Sequence, residues 1–126
     1  MTVSFTLAVR NAAHAVEFYA RAFGAREVRR VESPDGDVVA QLEIQGDIFF
    51  VADESPEHAN FSPASLGERS TVRLALIVDD PDSLADQAVT AGARLVYPVA
   101  DQHYGWRLGR VVDPFGHHWE IGRPNA

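Results

Sequence analysis

Apolar and polar positions follow two periods along the chain, and the elements they predict occur in the same order twice. Alternation or short apolar runs predict strands, whereas apolar residues three and four positions apart predict helices. The first helix ends at Gly24 and the second at Gly92, a residue favoured just beyond a helix. The predicted strands span residues 3–9, 26–32, 38–44, 48–52, 72–78, 94–99, 107–112 and 118–122, and the predicted helices span 12–23 and 82–90.

The repeated order indicates a tandem duplication with an offset of about 68–70 residues. Gly24-Ala25-Arg26 follows the first helix, and Gly92-Ala93-Arg94 follows the second. The predicted fold class is therefore α+β, with two βαβββ modules whose curved sheet surrounds a cleft. We expect one domain over residues 1–126, with module one at about 1–53, a linker loop at 54–70 and module two at about 71–126.

Composition says more about which partners the protein binds than about which reaction it carries out. The net charge is −7, so we expect no nucleic-acid partner, because a basic stripe is missing from the sequence. There is no cysteine, no signal-peptide pattern and no apolar run long enough for a membrane helix, which predicts a cytoplasmic protein without a membrane partner. The acidic balance fits either simple solubility or a cleft for a cationic ligand, and composition does not decide between them.

Side-chain alternation assigns one face of each sheet to the cleft. On this basis Ser4, Thr6 and Phe50 of module one face the cleft, as do Arg73, His118 and Glu120 of module two. Arg73 and Glu120 are then close enough either to form a salt bridge that closes the cleft floor or to anchor a polar group of a ligand. His118 lies two residues from Glu120, so the two side chains share a face, and either His118 or His103 could form an acid–base pair with Glu120.

Motifs in the second half carry a resemblance to a known family. Tyr104-Gly105-Trp106-Arg107 is followed by Asp113-Pro114-Phe115-Gly116-His117, which resembles the turn before the last strand in the glyoxalase/bleomycin-resistance/extradiol-dioxygenase (vicinal oxygen chelate) superfamily. Val51–Glu54 and Asn60–Gly67 are similar to the PhnB-like branch of that superfamily. The resemblance implies paired βαβββ modules, a small-molecule cleft and a homodimer in which the partner chain can complete each cleft.

The resemblance also implies where a metal would bind. Metal-dependent members use four equivalent positions, which in this chain are Ser4, Phe50, Arg73 and Glu120. Glu120 alone is an ordinary ligand, whereas a metal site needs three or four donors and a guanidinium repels a cation. We therefore expect no metal and no cofactor.

Aromatic side chains favour a binding role for the cleft. Tyr104 and Trp106 lie in the segment that rims the cleft in the superfamily, Phe50 lies on the floor, and Phe61 lies in the long loop. Such rings supply contact area for a bulky or aromatic molecule, although Trp106 also fits simple packing at a strand edge. The ligand-binding set predicted from the sequence is Ser4, Thr6, Phe50, Phe61, Arg73, Tyr104, Trp106, Arg107, His118 and Glu120.

Two functions follow from these observations. The first is a metal-independent small-molecule-binding protein, for example one that sequesters an antibiotic as in the bleomycin-resistance branch. The alternative is an enzyme, either a glyoxalase-type lyase or isomerase or another vicinal-oxygen-chelate enzyme acting on a small metabolite, in which Glu120 is the predicted catalytic residue.

Overall fold

Two four-stranded sheets, each covered on one face by one helix, make up the protein, and the computed structural model describes all 126 residues. The order βαβββ occurs twice, which confirms the predicted α+β fold of two tandem modules. Module one contains β1 (Thr6–Val9), α1 (Ala12–Phe23), β2 (Arg26–Glu32), β3 (Val38–Ile44) and β4 (Asp47–Asp53). Module two contains β5 (Arg73–Ile77), α2 (Pro81–Ala91), β6 (Arg94–Asp101), β7 (Trp106–Val112) and β8 (His118–Pro124).

The two sheets have the same topology. Sheet 1 has the strand order β1-β4-β3-β2 and sheet 2 has the order β5-β8-β7-β6. In each sheet the first and last strands of the module pair in parallel, and the other pairs are antiparallel. The last strand of each module therefore lies in the interior of its sheet, beside the first.

The helices begin and end at residues that satisfy their free backbone groups. The Asn11 side chain accepts a hydrogen bond from the His14 amide at the start of α1, and Asp80 accepts one from the Ser83 amide at the start of α2. Gly24 ends α1 in the left-handed conformation, with φ of 71°, which costs glycine little. Local sequence signals thus fix both helices, although α2 begins one residue earlier than predicted.

One apolar core joins both modules. The aromatic rings of Tyr19 and Phe23 on α1 pack against Trp119 on β8, with ring centroids 5.6 and 4.8 Å apart. Phe49 of sheet 1 also contacts Trp119, with a centroid distance of 6.0 Å. Because the helix-covered faces of both sheets meet in this core, each sheet has a second face that the helices do not cover. We call this second face the open face of the sheet.

The open faces do not bury one another within the chain. Val39 on the open face of sheet 1 is 44% exposed, and Ile77 on the open face of sheet 2 is 64% exposed. Large apolar side chains that remain exposed along a sheet are typical of a surface that binds something else. No helix of the protein is long and apolar enough to cross a membrane.

A buried carboxylate ties the turn before β8 to α1. Asp113 Oδ1 accepts hydrogen bonds from the backbone amides of Phe115 and His117, at 2.9 and 3.0 Å. Its Oδ2 accepts from Tyr19 Oη at 2.5 Å and from Trp119 Nε1 at 2.9 Å. The turn motif found in the sequence therefore has a structural role, since its aspartate accepts three hydrogen bonds within module two and one from Tyr19 of module one.

Because Tyr19 is buried, we expect the stability of the fold to decrease at alkaline pH. Burial, and then the neighbouring charge of Asp113, raises the pKa of Tyr19 well above its ordinary value. A pKa raised by folding contributes stability that is complete below the unfolded pKa, about 10, and is lost as pH rises from there towards the folded pKa. We expect the free energy of unfolding to fall by up to about 1.4 kcal/mol for each pH unit above about 10.

Urea unfolding at a series of pH values between neutral and strongly alkaline checks this prediction. The chain contains no lysine, because all eleven of its basic residues are arginines, so few other groups titrate in this window. The variant Tyr19→Phe is expected to be less stable at neutral pH but to lose less stability on going to alkaline pH. An equal alkaline loss in both proteins would show that Tyr19 is not the responsible group.

Candidate functional site on the open face of sheet 2

The open face of sheet 2 carries a group of charged side chains arranged by strand register. Arg94 of β6 lies beside Val112 of β7, which lies beside His118 of β8, which in turn lies beside Arg73 of β5. These four residues form one row across the sheet. Three of the four are polar, namely the edge residues Arg94 and Arg73 and the interior His118.

A second row lies directly next to the first. It runs from Tyr97 on β6 through Arg110 on β7 and Glu120 on β8 to Ala75 on β5. Because strand residues alternate between faces, residues in register across neighbouring strands point to the same side. The two rows therefore bring three arginines, one glutamate, one histidine and one tyrosine onto one surface. We call Arg73, Arg94 and Arg110 the arginine cluster.

Glu120 is the centre of the contacts within these rows. Its Oε1 accepts a hydrogen bond from Arg73 Nε at 3.1 Å, and its Oε2 lies 3.5 Å from Arg110 Nη2 and 3.4 Å from Tyr97 Oη. The Arg110 guanidinium also lies over the Tyr97 ring, 5.2 Å from its centroid. The Glu120 carboxylate is therefore surrounded by cationic and hydroxyl donors.

Burial and charge set the protonation of the two titratable groups. Burial alone would raise the pKa of Glu120, but the hydrogen bond and the positive charge of Arg73, followed by those of Arg110, lower it below its ordinary value. Burial lowers the pKa of His118, and the positive charges of Arg110 and Arg94 lower it further. Glu120 is thus an anion and His118 a neutral imidazole at neutral pH.

Two nitrogen atoms on this face are buried without a hydrogen-bond partner, namely Arg110 Nε and His118 Nδ1. Buried polar atoms in folded proteins are almost always paired, so an unpaired one calls for a reason. Both atoms belong to the two rows around Glu120. Two buried nitrogens beside Glu120 therefore lack a hydrogen bond in the isolated chain.

The structure brings together only part of the ligand-binding set predicted from the sequence. Arg73, His118 and Glu120 lie together on the open face of sheet 2, whereas Thr6 and Phe50 lie in register with each other on the open face of sheet 1. Ser4 precedes β1, and its hydroxyl donates to the Ile48 carbonyl oxygen at 2.8 Å. The predicted set is thus divided between two surfaces of one chain.

The expectation that Arg107 lies in the cleft is not met by this arrangement. Arg107 is three residues from Arg110 on β7 and points to the helix-covered side, where its Nε and Nη2 donate to Asp82 of α2 at 2.8 and 2.7 Å. A further contact joins Arg107 Nη1 to Asp101 at 3.3 Å. Register thus assigns Arg107 a role in attaching α2 to its sheet.

The aromatic residues expected at the rim lie further from Glu120. Tyr104 is 55% exposed in the turn between β6 and β7, where its ring contacts His103 edge to face. Trp106 begins β7 and is half-buried, four residues from Arg110 on the same strand. Neither ring contacts the arginine cluster in the isolated chain.

Phe61 belongs to a separate cavity of about 350 Å³ beside β1. Glu54 holds the loop in place, because it accepts hydrogen bonds from the Ser62 amide and hydroxyl and from the Ser65 hydroxyl. Hydrogen bonds from Ser62 and Ser65, and the positive charge of Arg10, lower the pKa of Glu54 from its ordinary value. The loop that follows β4 is thereby fixed and presents Phe61 beside Phe5, Thr6, Asn60 and Val72.

Sequence reasoning missed Arg94, Tyr97 and Arg110. Arg110 has the strand parity of the cleft face, so alternation along β7 was a signal that could have identified it. Tyr97 follows an irregularity in the pairing of β6 with β7, which shifts the parity along β6. No simple alternation rule recovers Tyr97.

Comparison with known proteins matches this fold to one family. The model of the glyoxalase/bleomycin resistance protein/dioxygenase superfamily matches residues 2–121. The chain belongs to this superfamily. A Mycobacterium bovis protein named as uncharacterized (Mb0911c) is 42% identical over 122 residues, which are 94% of this chain and 80% of that protein.

Solved structures of the superfamily share the whole architecture. TioX from Micromonospora sp. ML1 superposes with a TM-score of 0.76 at 29% identity, over 98% of each chain. The fosfomycin resistance protein FosX from Listeria monocytogenes, whose structure was determined with Mn(II) and a sulfate ion, has a TM-score of 0.73 at 15% identity, over 99% of this chain and 93% of that one. At that identity, FosX shows the likeness of the fold alone.

The superfamily's metal positions do not fit a metal in this chain. Phe50 offers no donor, the Ser4 hydroxyl is bonded to a backbone carbonyl, and Arg73 is a cation. Both oxygens of Glu120 face guanidinium donors, which compete for the lone pairs that a metal would need. No group of three or more histidine, cysteine, aspartate or glutamate side chains is placed to hold a metal ion.

Proposed function

We propose that the protein is a metal-independent small-molecule-binding protein of the superfamily, and that its ligand is bulky or aromatic. The observation that carries the proposal is the open face of sheet 2, where most guanidinium N–H groups of Arg73, Arg94 and Arg110 have no hydrogen-bond partner. A ligand that supplied those partners would gain hydrogen bonds without displacing existing ones. Drug or antibiotic binding, as in the bleomycin-resistance branch, is the concrete form of this function, and we place the chain in the PhnB-like branch.

The apolar surface for such a ligand is supplied by the open face of sheet 1. Phe50 lies at its centre, beside Thr6 and Gln41, and the adjacent row consists of Ala8, Ala52, Val39 and Val31. Sheet 1 therefore offers an apolar floor, whereas sheet 2 offers polar donors. We propose a homodimer in which sheet 1 of one copy covers sheet 2 of the other and the ligand lies between them.

A neutral aromatic probe tests the proposed function. N-phenyl-1-naphthylamine fluoresces when it enters an apolar site, and we expect saturable binding to the protein. Phe50→Ala is expected to weaken this binding by about tenfold, because a well-packed aromatic contact contributes about 1–1.5 kcal/mol. The matched control is Val89→Ala, which truncates an exposed apolar side chain on α2. Equal effects of the two substitutions, or no saturable binding, would contradict the proposal.

The proposed homodimer has a separate measurement. Sedimentation equilibrium over a range of protein concentrations is expected to show a dimer that dissociates on dilution. The exposed Val39 lies within the surface that the dimer would bury, so Val39→Asp is expected to shift the equilibrium towards the monomer. A monomer at every concentration would rule out a site shared between two copies.

An enzyme remains the alternative function, and one observation favours it. The imidazole of His118 is neutral and lies on the same face of sheet 2 as Glu120, which makes it the candidate general base. Glu120 is a poorer candidate for this step, because its lowered pKa makes it a weaker base. In a lyase or isomerase, His118→Gln would abolish turnover while leaving ligand binding nearly intact.

A further inference from the structure

The arginine cluster has more N–H donors than the Glu120 carboxylate can accept hydrogen bonds from. A guanidinium carries five N–H donors, yet Arg73 uses only Nε and Arg110 only Nη2 toward Glu120, the latter at 3.5 Å. Arg94 has no ion-pair partner on this face. Most of the N–H groups of the cluster are therefore free to bind something else.

The charge balance of this surface is opposite to that of the whole protein. The two rows contain three arginines and one glutamate, whereas the chain as a whole carries a net charge of −7. His118 adds no positive charge when its imidazole is neutral. Arg110 is partly buried, whereas Arg73 and Arg94 are exposed, so an anion that reaches this surface meets accessible guanidinium groups. The surface is thus suited to an anionic group and disfavours a cationic one.

The equivalent surface of sheet 1 has a smaller excess of arginine. In the duplicated row, Phe50 stands where sheet 2 has Glu120, and Gln41 stands where it has Arg110. The nearby Arg26 is paired with Glu43 at 3.3 Å. Arg29, in register with Gln41, is the one arginine of this surface without an ion pair. The grouping of three arginines around one glutamate is therefore a feature of module two and does not follow from the fold alone.

We propose that the arginine cluster is the subsite for an oxyanion of the ligand, so that the bound molecule carries a carboxylate, phosphonate or similar group beside its apolar part. This inference rests on the proposed function and names the class of its ligand. The free Nη groups of Arg73, Arg94 and Arg110 donate to the anion, because guanidinium groups form strong charge-assisted hydrogen bonds with planar and tetrahedral oxyanions. The Tyr97 ring holds the Arg110 guanidinium in place from its other side.

A pair of probes that differ in one charged group tests the subsite. The sulfonate 8-anilinonaphthalene-1-sulfonate has the ring system of the neutral N-phenyl-1-naphthylamine. We expect the sulfonate to bind the wild-type protein about tenfold more tightly than the amine, and Arg110→Gln and Arg73→Gln each to remove most of that preference. Affinity for the neutral amine is expected to stay within about twofold in both variants.

Arg21→Gln is the matched control, because Arg21 lies exposed on α1, away from both open faces. Circular dichroism of each variant verifies folding, and Arg73→Gln serves as the second variant if loss of the Tyr97 contact unfolds Arg110→Gln. We expect benzoate and phenylphosphonate to displace the sulfonate and uncharged benzamide not to displace it. The stronger competitor of benzoate and phenylphosphonate distinguishes the carboxylate from the phosphonate form of the ligand.

The outcomes separate this inference from the function on which it rests. Equal affinity for the two probes in the wild-type protein, or displacement by benzamide as effective as by benzoate, would overturn the oxyanion subsite and leave the binding function standing. Failure of both probes to bind would overturn the binding function and the subsite with it. A loss of preference in Arg21→Gln equal to that in Arg110→Gln would attribute the effect to overall charge and would also overturn the subsite.

Discussion

Replacing Asp113 with asparagine is expected to lower the free energy of unfolding by about 3–5 kcal/mol, the cost typical of breaking a buried network of charge-assisted hydrogen bonds. Asp113 is 4% exposed and accepts four hydrogen bonds. An asparagine side chain offers one acceptor oxygen and one NH₂ group, so at least two of the four donors would face another donor. Those donors belong to Tyr19 and Trp119 or to the backbone of the turn.

Chemical unfolding of Asp113→Asn beside wild-type protein measures this effect. Asp86→Asn on α2 is the control, because it makes the same chemical change at an exposed position. A loss below about 1 kcal/mol, the usual size of a surface effect, would mean that the turn is held by other contacts. Since Asp113 joins the turn to α1, the substitution is also expected to loosen the contact between the two modules.

Replacing Glu120 with glutamine is expected to increase the affinity for the anionic naphthalene sulfonate by about tenfold, because it removes a negative charge a few ångströms from the arginine cluster. Glu120 contacts Arg73 and Arg110 directly, at 3.1 and 3.5 Å. Glutamine keeps the size of the side chain and one acceptor oxygen. The freed guanidinium donors then become available to the probe.

The same variant separates the proposed binding function from the enzyme alternative. If Glu120 acts on a substrate or supports a metal, Glu120→Gln abolishes that activity, whereas the binding function predicts a change in affinity alone. Glu17→Gln on the exposed side of α1 controls for the change in net charge. A fall in sulfonate affinity in Glu120→Gln would show that the carboxylate holds the arginines in their binding positions. This positioning effect would then outweigh the repulsion between the carboxylate and the probe.

The fold could be predicted closely from the sequence because its signals are local and occur twice. Gly24 and Gly92 end the two helices as expected, and the strand limits agree to within a few residues. Parity within single strands also placed Arg73, His118 and Glu120 correctly on one face. Each of these inferences depends only on neighbouring residues in the chain.

The candidate site could be predicted only in part, because its members depend on contacts between strands. Arg107 and Arg110 lie on one strand, and which of them faces Glu120 follows from the pairing of β7 with β8. Tyr97 reaches Glu120 only after the irregularity in β6. The separation of Phe50 from Glu120 onto two open faces depends on how the helices of the two modules pack, for which the sequence contains no simple pattern.

Metal-independent binding is tested most directly by a thermal-shift titration of chelator-treated protein with Mn²⁺, Zn²⁺, Ni²⁺ and Mg²⁺. The metal content of protein purified without chelator is measured beside it. Because the four positions used by metal-dependent relatives contain only one ordinary ligand in this chain, we expect substoichiometric metal, no ion-specific rise in melting temperature and probe binding that is unchanged by chelator. Near-stoichiometric metal, or a clear stabilisation by one ion that disappears in Glu120→Gln, would contradict the account and make a metalloenzyme the leading function.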